Sequence, residues 1–293
     1  MVVGLAAGAS DGKIAAYLWS DGKLHAAWSK HVGDHVCALT TVSGYVAAAI
    51  GHEVHTYAME PHALTFRRPW DCAFVSSCLA SQGSTLVVGD AMHSLTVLTV
   101  AEDGRLSESA RDLHPYWTSA VCVLDEEQQR YLGTDVAMNL FVAERAKGTE
   151  PESPWSHVMR HAAACHVGDL VNAIHTLPGG RVMYATASGA LGTLVHVPEP
   201  VARVLLCVQD AMIEVVPAPG DIPWESWRTS RTDTRTEPPH HILDADVLRF
   251  FVSDPSVRSP CLDKAGSLAQ ARDIPMAEMA EERILEMLHA LLS

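Results

Sequence analysis

The chain is poor in aromatic side chains, with 7 Trp, 6 Tyr and 5 Phe among 293 residues, and poor in cations. Its 21 Lys and Arg stand against 35 Asp and Glu, for a formal charge of −14. That balance opposes non-specific phosphate binding, which draws on counterion release by Lys and Arg. No apolar run approaches the ~20 residues a helix needs to cross a bilayer, so no membrane partner is expected. The opening stretch MVVGLAAGASDGK has no basic segment and breaks at Gly8 and Asp11-Gly12; it reads as strand and turn, not as a secretory signal. The cysteines (Cys37, Cys72, Cys78, Cys122, Cys165, Cys207 and Cys261) include no C-x-x-C pair. An odd number of scattered thiols suits a reducing cytosol or nucleus. G-x-S-x-G, Walker and G-x-G-x-x-G loops are all missing, and Gly189-Ala190-Leu191-Gly192 reads as a strand turn. Catalysis gets no support, and no cofactor is expected.

What the chain does have is a repeated strand pattern. Leu86-Val87-Val88 is a short β-branched run closing on Gly89-Asp90, followed by Ser94 to Val100, a polar turn and a weaker segment to Ala110. The cycle restarts with Ala120 to Leu124, Tyr131-Leu132-Gly133 and Asn139 to Val142. Gly89 and Gly133 hold equivalent places about 44 residues apart, the period of a four-stranded propeller blade. A lone blade cannot bury both of its faces, whereas a ring or stack of blades can. Earlier in the chain, Lys13 to Trp19 and Lys23 to Trp28 flank the turn Ser20-Asp21-Gly22, the clearest hairpin in the sequence. Further strands are expected at His35 to Val42, Tyr45 to Ile50, Val54 to Tyr57, Phe74 to Leu79, His157 to Cys165, Leu170 to Ile174, Arg181 to Thr186 and Leu191 to Val197. The Pro- and charge-rich stretch Lys147 to Pro154 reads as an exposed loop.

Beyond Pro198 the apolar spacing changes to threes and fours (Val201, Val204, Leu205, Val208, Met212, Val215), predicting an amphipathic helix. Helices are also expected at Leu243 to Val252 and Pro275 to Leu292, after a polar extended tract from Trp224 to Pro239. The expected architecture is mainly β: a partial, about five-blade β-propeller of a seven-bladed type over 1–198, then a helical C-terminal domain with its linker over 199–293.

Sixteen histidines invite a metal reading. The nearest groupings are His31/His35, His52/His55, His161/Cys165/His166 and His240/His241, and none gains a carboxylate or second Cys at zinc-like spacing. Packed or solvated histidines are the expected reading, with no metal site. Arg228, Arg231 and Arg235 are interrupted by Asp221, Glu225, Asp233 and Glu237, which favours ion pairing with the protein's own surface over nucleic acid. Trp117, after His114-Pro115-Tyr116, is either a core plug or an exposed partner anchor, and spacing does not decide between them.

Several segments carry a family resemblance: GKIAAYLWSDGKL (12–24), VVGDAMHSLTVL (87–98), ARDLHPYWTSAVCVLD (110–125), LGTDVAMNLFV (132–142), HVGDLVNAI (166–174), SWRTSRTDTRTEP (226–238) and ILDADVL (242–248). Spread over nearly the whole chain, they resemble the C-terminal part of a family. That family joins the large subunits of the damaged-DNA-binding protein, the cleavage and polyadenylation specificity factor and a splicing factor. The SDGKL hairpin and the ARD to SAV segment look closest to the branch that serves as adaptor of cullin-RING ubiquitin ligases. The resemblance implies most of a third seven-bladed propeller plus the helical tail, with the first two propellers and the opening blades of the third absent. It implies a non-enzymatic scaffold, in the nucleus and cytoplasm, tied to DNA repair and ubiquitination. Its partners would be helical segments of substrate receptors. A cullin would be reached only through the missing upstream domains, and nucleic acid only indirectly. The alternative is an RNA-processing subunit of the same family that binds nucleic acid.

Carried onto this sequence, the partner-binding positions are Phe74, Val75, Ser77, Ala91, Arg111, Trp117, Leu170 and Asn172, and the resemblance tips Trp117 toward partner anchor. Val75, Ser77 and Ala91 are smaller than the Leu or Met expected there, and His93 stands in place of Arg, which implies a shallower pocket.

Overall fold

The computed structural model describes residues 2–6, 12–60, 63–145 and 157–292, so the loop expected at 147–154 lies outside the described residues. Strands β1 (Val2–Ala6), β2 (Gly12–Ser20) and β3 (Lys23–Val32) form a three-stranded antiparallel sheet. Three four-stranded antiparallel sheets follow. They are β4 (Val36–Val42) to β7 (Leu64–Asp71) by way of β5 (Tyr45–Ile50) and β6 (Glu53–Met59); β8 (Ser76–Gln82), β9 (Thr85–Asp90), β10 (Leu95–Val100) and β11 (Leu106–Arg111); and β12 (Thr118–Asp125), β13 (Arg130–Asp135), β14 (Asn139–Arg145) and β15 (Met159–His166). A fifth sheet has three strands, β16 (Val171–Thr176), β17 (Val182–Thr186) and β18 (Leu191–Leu194). Each sheet is a simple meander, and neighbouring sheets meet through their first strands: β4 on β8, β8 on β12, β12 on β16. This is a partial β-propeller.

The alternation of side chains along the second strand of each sheet explains why the sheets fan and stack. In β5, Val46, Ala48 and Ile50 pack toward the first sheet with Ile14, Val32 and Tyr57, while Ala47 faces the third with Leu86 and Val88. In β9, Leu86 and Val88 face back and Val87 faces forward, onto Val121, Val123 and Phe141. In β13, Tyr131 faces back while Leu132 faces the fifth sheet with Leu140 and Val182. Period-2 geometry delivers successive residues to opposite faces. A strand buried on both faces therefore reads in sequence as a continuous apolar run.

Two glycines have identifiable reasons. Asp21 and Gly22 form a two-residue hairpin loop with φ of 52° and 73°, the doubly positive turn that matches strand twist. At Gly133 an added Cβ would sit 2.4–3.0 Å from the Phe141 ring, so the ring's seat exists only over a glycine.

Four elements depart from the expected reading. β7 contains Arg67-Arg68-Pro69, which hid it; as the last strand of its sheet it tolerates a proline that cannot donate to a ladder. The helical tail holds α1 (Glu199–Val215), α2 (Trp224–Arg228), a two-residue pair β19 (Ser230–Arg231) and β20 (Thr236–Glu237), α3 (Ala245–Ser253), α4 (Arg258–Ala271) and α5 (Glu281–Leu292). Helix α4 was not expected. Its buried stripe is Cys261, Ala265 and Ala269, residues too small to register as an apolar face, yet they let α1 approach closely. The helix expected from Pro275 is interrupted: a 3₁₀ turn spans Met276–Met279 and Ala280 is extended before α5 begins. Val204, Leu205, Val208, Met212, Leu248, Phe251, Ile284 and Leu288 form a core of the tail's own.

The tract expected to be extended instead carries α2 and folds back on the fourth sheet. Asn139 Nδ2 donates to the Arg231 carbonyl (3.0 Å), the Arg231 N–H donates to Asn139 Oδ1 (3.2 Å), and His240 and Ala164 exchange backbone bonds. Arg228 Nε donates to Asp244 Oδ2 at 2.7 Å and Trp224 Nε1 donates to the same oxygen at 2.8 Å. Burial works to raise the Asp244 carboxyl, but these bonds and the Arg228 charge hold it below its ordinary 3.8. Arg235 lies 3.4 Å from Glu237, so two of the tract's three arginines, Arg228 and Arg235, face the protein's own carboxylates.

Candidate partner-binding face

In a meander, the loops joining second to third strands and those entering each sheet lie at the same end. Hydrogen bonds show the two loop sets locked together once per sheet. The Gly51 N–H donates to the His35 carbonyl (3.0 Å), Ala91 to Val75 (2.9 Å), Val136 to Trp117 (2.9 Å) and Ala187 to Leu170 (2.8 Å). Val75, Trp117 and Leu170 are thus the same position in three successive sheets, and Ala91 is the partner of the first. Four sequence-selected residues share one rim.

A second periodic feature lies one step inward. Each inner strand carries a bulge at the same place, between Val36 and Ala38, Ser76 and Cys78, Thr118 and Ala120, and Val171 and Ala173. The extra residues are Cys37, Ser77, Ser119 and Asn172. Ser77 Oγ donates to the Thr118 carbonyl of the next inner strand (2.8 Å), and Ser119 Oγ to the Val171 carbonyl (2.7 Å). Ser77 therefore stitches sheet to sheet. Asn172 holds the equivalent place on β16, where its side chain is exposed.

The remaining selected residues divide. Phe74 is exposed, and its N–H is held by the buried Asp90 carboxylate at 2.8 Å. Asp90 also accepts from the N–H groups of Met92 (2.8 Å) and His93 (3.0 Å), fixing the turn after β9. Arg111 closes the outer strand β11, and its guanidinium forks onto Glu108 at 2.6 and 3.0 Å. The pair is one-third exposed, so the guanidinium stays at the surface.

Trp117 is 57% exposed while its neighbours Tyr116 and Thr118 are buried, so the indole is no core plug. The Tyr116 ring packs at 5.0 Å from Phe141, and Thr118 Oγ1 donates to the Ser94 carbonyl at 2.8 Å. Both fix the backbone that presents the indole. Further exposed apolar side chains on these loops went unselected: Met92, Leu113, Val136 and Met138. They follow the selected residues or Asp90 and Asp135 by a few positions, and the turn positions themselves are the signal that finds them. The rim is an apolar surface with a few fixed backbone groups, suited to non-covalent contact.

The His161/Cys165/His166 grouping of the sequence does not converge. His166 Nδ1 lies 3.1 Å from Asn139 Oδ1, Cys165 packs with Leu140, and His161 turns the other way toward Asp112. Two other sets do bring potential ligands together, the exposed His52, Glu53 and Asp71, and the more buried Asp112, His114 and His161.

The repetitive antiparallel array and its helical tail define a partial β-propeller with an exposed apolar rim. The family model for the CPSF A subunit region matches residues 5–253, and the chain belongs to that family. It is similar to DNA damage-binding protein 1a of Arabidopsis thaliana, 27% identical over 260 residues, which is 82% of this chain and 24% of the relative. DNA damage-binding protein 1 of Drosophila melanogaster is 27% identical over 258 residues (82% and 22%), and that of Oryza sativa subsp. japonica 24% over 290 residues (93% and 26%). The chain spans about a quarter of the length of the curated relatives it matches.

Proposed function

We propose that this chain is a protein-interaction scaffold whose rim takes up an apolar helical segment of a partner, in the helix-in-groove mode. The observation that carries the reading is the half-exposed indole of Trp117, repeated in position by Val75 and Leu170, with Phe74, Met92 and Leu113 also exposed on the connecting loops. Trp is the commonest kind of interface anchor, and its flanking apolar contacts exclude water from it. Asn172 supplies the exposed amide on the neighbouring inner strand, a hydrogen-bonding group that fixes a bound helix in register.

The relatives named DNA damage-binding protein 1 support a role of this scaffold in the DNA-damage response, and the resemblance of the SDGKL and ARD to SAV segments to the ligase-adaptor branch extends that proposal to a nuclear, receptor-holding part. Partners would be substrate-receptor proteins, and a cullin would be engaged through other parts of a longer assembly. The net charge of −14 and the pairing of Arg228 with Asp244 favour contact with DNA through partners.

Trp117→Ala tests the reading. Capture of amphipathic helical peptides from ligase substrate receptors is expected to fall at least about tenfold, with thermal stability nearly unchanged, as for an exposed hot-spot residue. Unchanged capture would sink the proposal, as would a loss traced to unfolding.

A further inference from the structure

We propose that Asp112, His114 and His161 form a binding site for a divalent transition-metal ion of the zinc class, which ties the loop preceding β12 to the outer strand β15. The residues are 49 positions apart at their extremes and meet where the outer strands of the third and fourth sheets adjoin. One ligand atom from each lies within 4.8 Å of the others. His114 Nδ1 is 2.5 Å from Asp112 Oδ1, and His161 Nε2 is 2.9 Å from Asp112 Oδ2. Two imidazoles and a carboxylate are the donor set of three-ligand zinc sites, and also suit iron and related divalent ions.

One observation points to an ion beyond the mere proximity of ligands. The Asp112 side chain is 0% exposed, and its partners are the two imidazoles, the Ser94 hydroxyl (2.6 Å) and the His114 N–H (3.2 Å), with no Lys or Arg of the described residues bonded to it. Buried carboxylates are ordinarily compensated by a cation, whether a side chain or a metal.

The surroundings are also those of a held site. The His161 ring stacks on Phe141 (4.8 Å between centroids) and lies 4.0 Å from the His114 ring, while Ser94 orients the carboxylate from outside. His114 is 24% exposed and gives an ion its way in. Metal–ligand bonds of about 2.0–2.2 Å at tetrahedral angles set donors about 3.3 Å apart, so the His114–Asp112 pair must open by most of an ångström and the His161–Asp112 pair by about half that, through χ rotations of the three side chains. On coordination, each imidazole gives up the N–H it directs at Asp112 and carries its proton on the other ring nitrogen. In His161 that nitrogen is Nδ1.

The test adds Zn²⁺ or Co²⁺ alone to the full chain after chelation and dialysis. One ion per chain should be retained, Co²⁺ should give the visible absorption of a four-coordinate site, and Zn²⁺ should raise the melting temperature. His161→Phe keeps the ring stack on Phe141 but removes both nitrogens, and should weaken binding at least about tenfold. His114→Ala, at a more exposed position, serves the same purpose if the first variant does not fold. No retention by the wild-type chain overturns the proposal, as does binding that survives in the folded variants, which would assign the ion to other histidines.

Discussion

β13 and β17 occupy the same place in consecutive sheets, yet they live in different surroundings. In β13, Tyr131 through Asp135 are all buried, whereas in β17 only Val182 and Thr186 are, with Met183, Tyr184 and Ala185 half-buried. The inner strands differ the same way: β12 is mostly buried, while Asn172, Ala173, His175 and Thr176 of β16 are exposed. The fourth sheet is packed by the third on one face and the fifth on the other. Two-sided burial is thus a property of the array and is conferred by neighbours, since the strand pattern of the fifth sheet is much the same.

The largest expected effect sharpens this contrast. Leu132→Ala, at a side chain 1% exposed between the fourth and fifth sheets, should cost about 2–5 kcal/mol in denaturant unfolding. Leu191→Ala, 71% exposed on the fifth, should stay within about 0.5 kcal/mol. Comparable losses at the two sites would mean the fifth sheet is covered in solution.

Next comes Gly133→Ala, which drives a methyl into the Phe141 ring and should cost about 1–3 kcal/mol. Combined with Phe141→Leu the two losses should be less than additive, because the smaller side chain vacates the space. Additive losses in a double-mutant cycle would argue that backbone strain is responsible.

A smaller effect distinguishes the tail from the sheets. Because Asp244 titrates below its ordinary 3.8 when folded, it contributes stability above that pH. The contribution shrinks as pH falls through the folded value. The gap in stability between wild type and Asp244→Asn should therefore be full at neutral pH and close below about pH 4. A gap that does not narrow at any pH below about 4 would show that geometry, and not ionisation, holds Arg228 and Trp224.

Much of the array is legible from residues alone. Leu86-Val87-Val88 reads as strand because both of its faces are buried, and Ser20-Asp21-Gly22 reads as a turn because two positive φ values demand such residues. β7 is hidden by Arg67-Arg68-Pro69, acceptable only on an edge. α4 is hidden because close helix packing selects Ala and Cys over Leu. On the rim, the family resemblance picks out Trp117 and Leu170, but residue spacing does not reveal that Ser77 and Asn172 are equivalent bulge residues. It also does not reveal that Arg111 is paired with Glu108, since both facts depend on register. The meeting of Asp112 with His161 depends on how two outer strands adjoin.

The sequence by itself determined the strand repeat, its period, the switch to helix after Pro198 and the absence of catalytic loops, because each is written in local spacing and local backbone preference. Only the tertiary structure decided which faces are covered, which polar groups stitch sheet to sheet and which side chains reach the rim. Those outcomes turn on contacts between residues dozens of positions apart, where free energy comes from burial and hydrogen bonding across sheets and not from any one segment's own pattern.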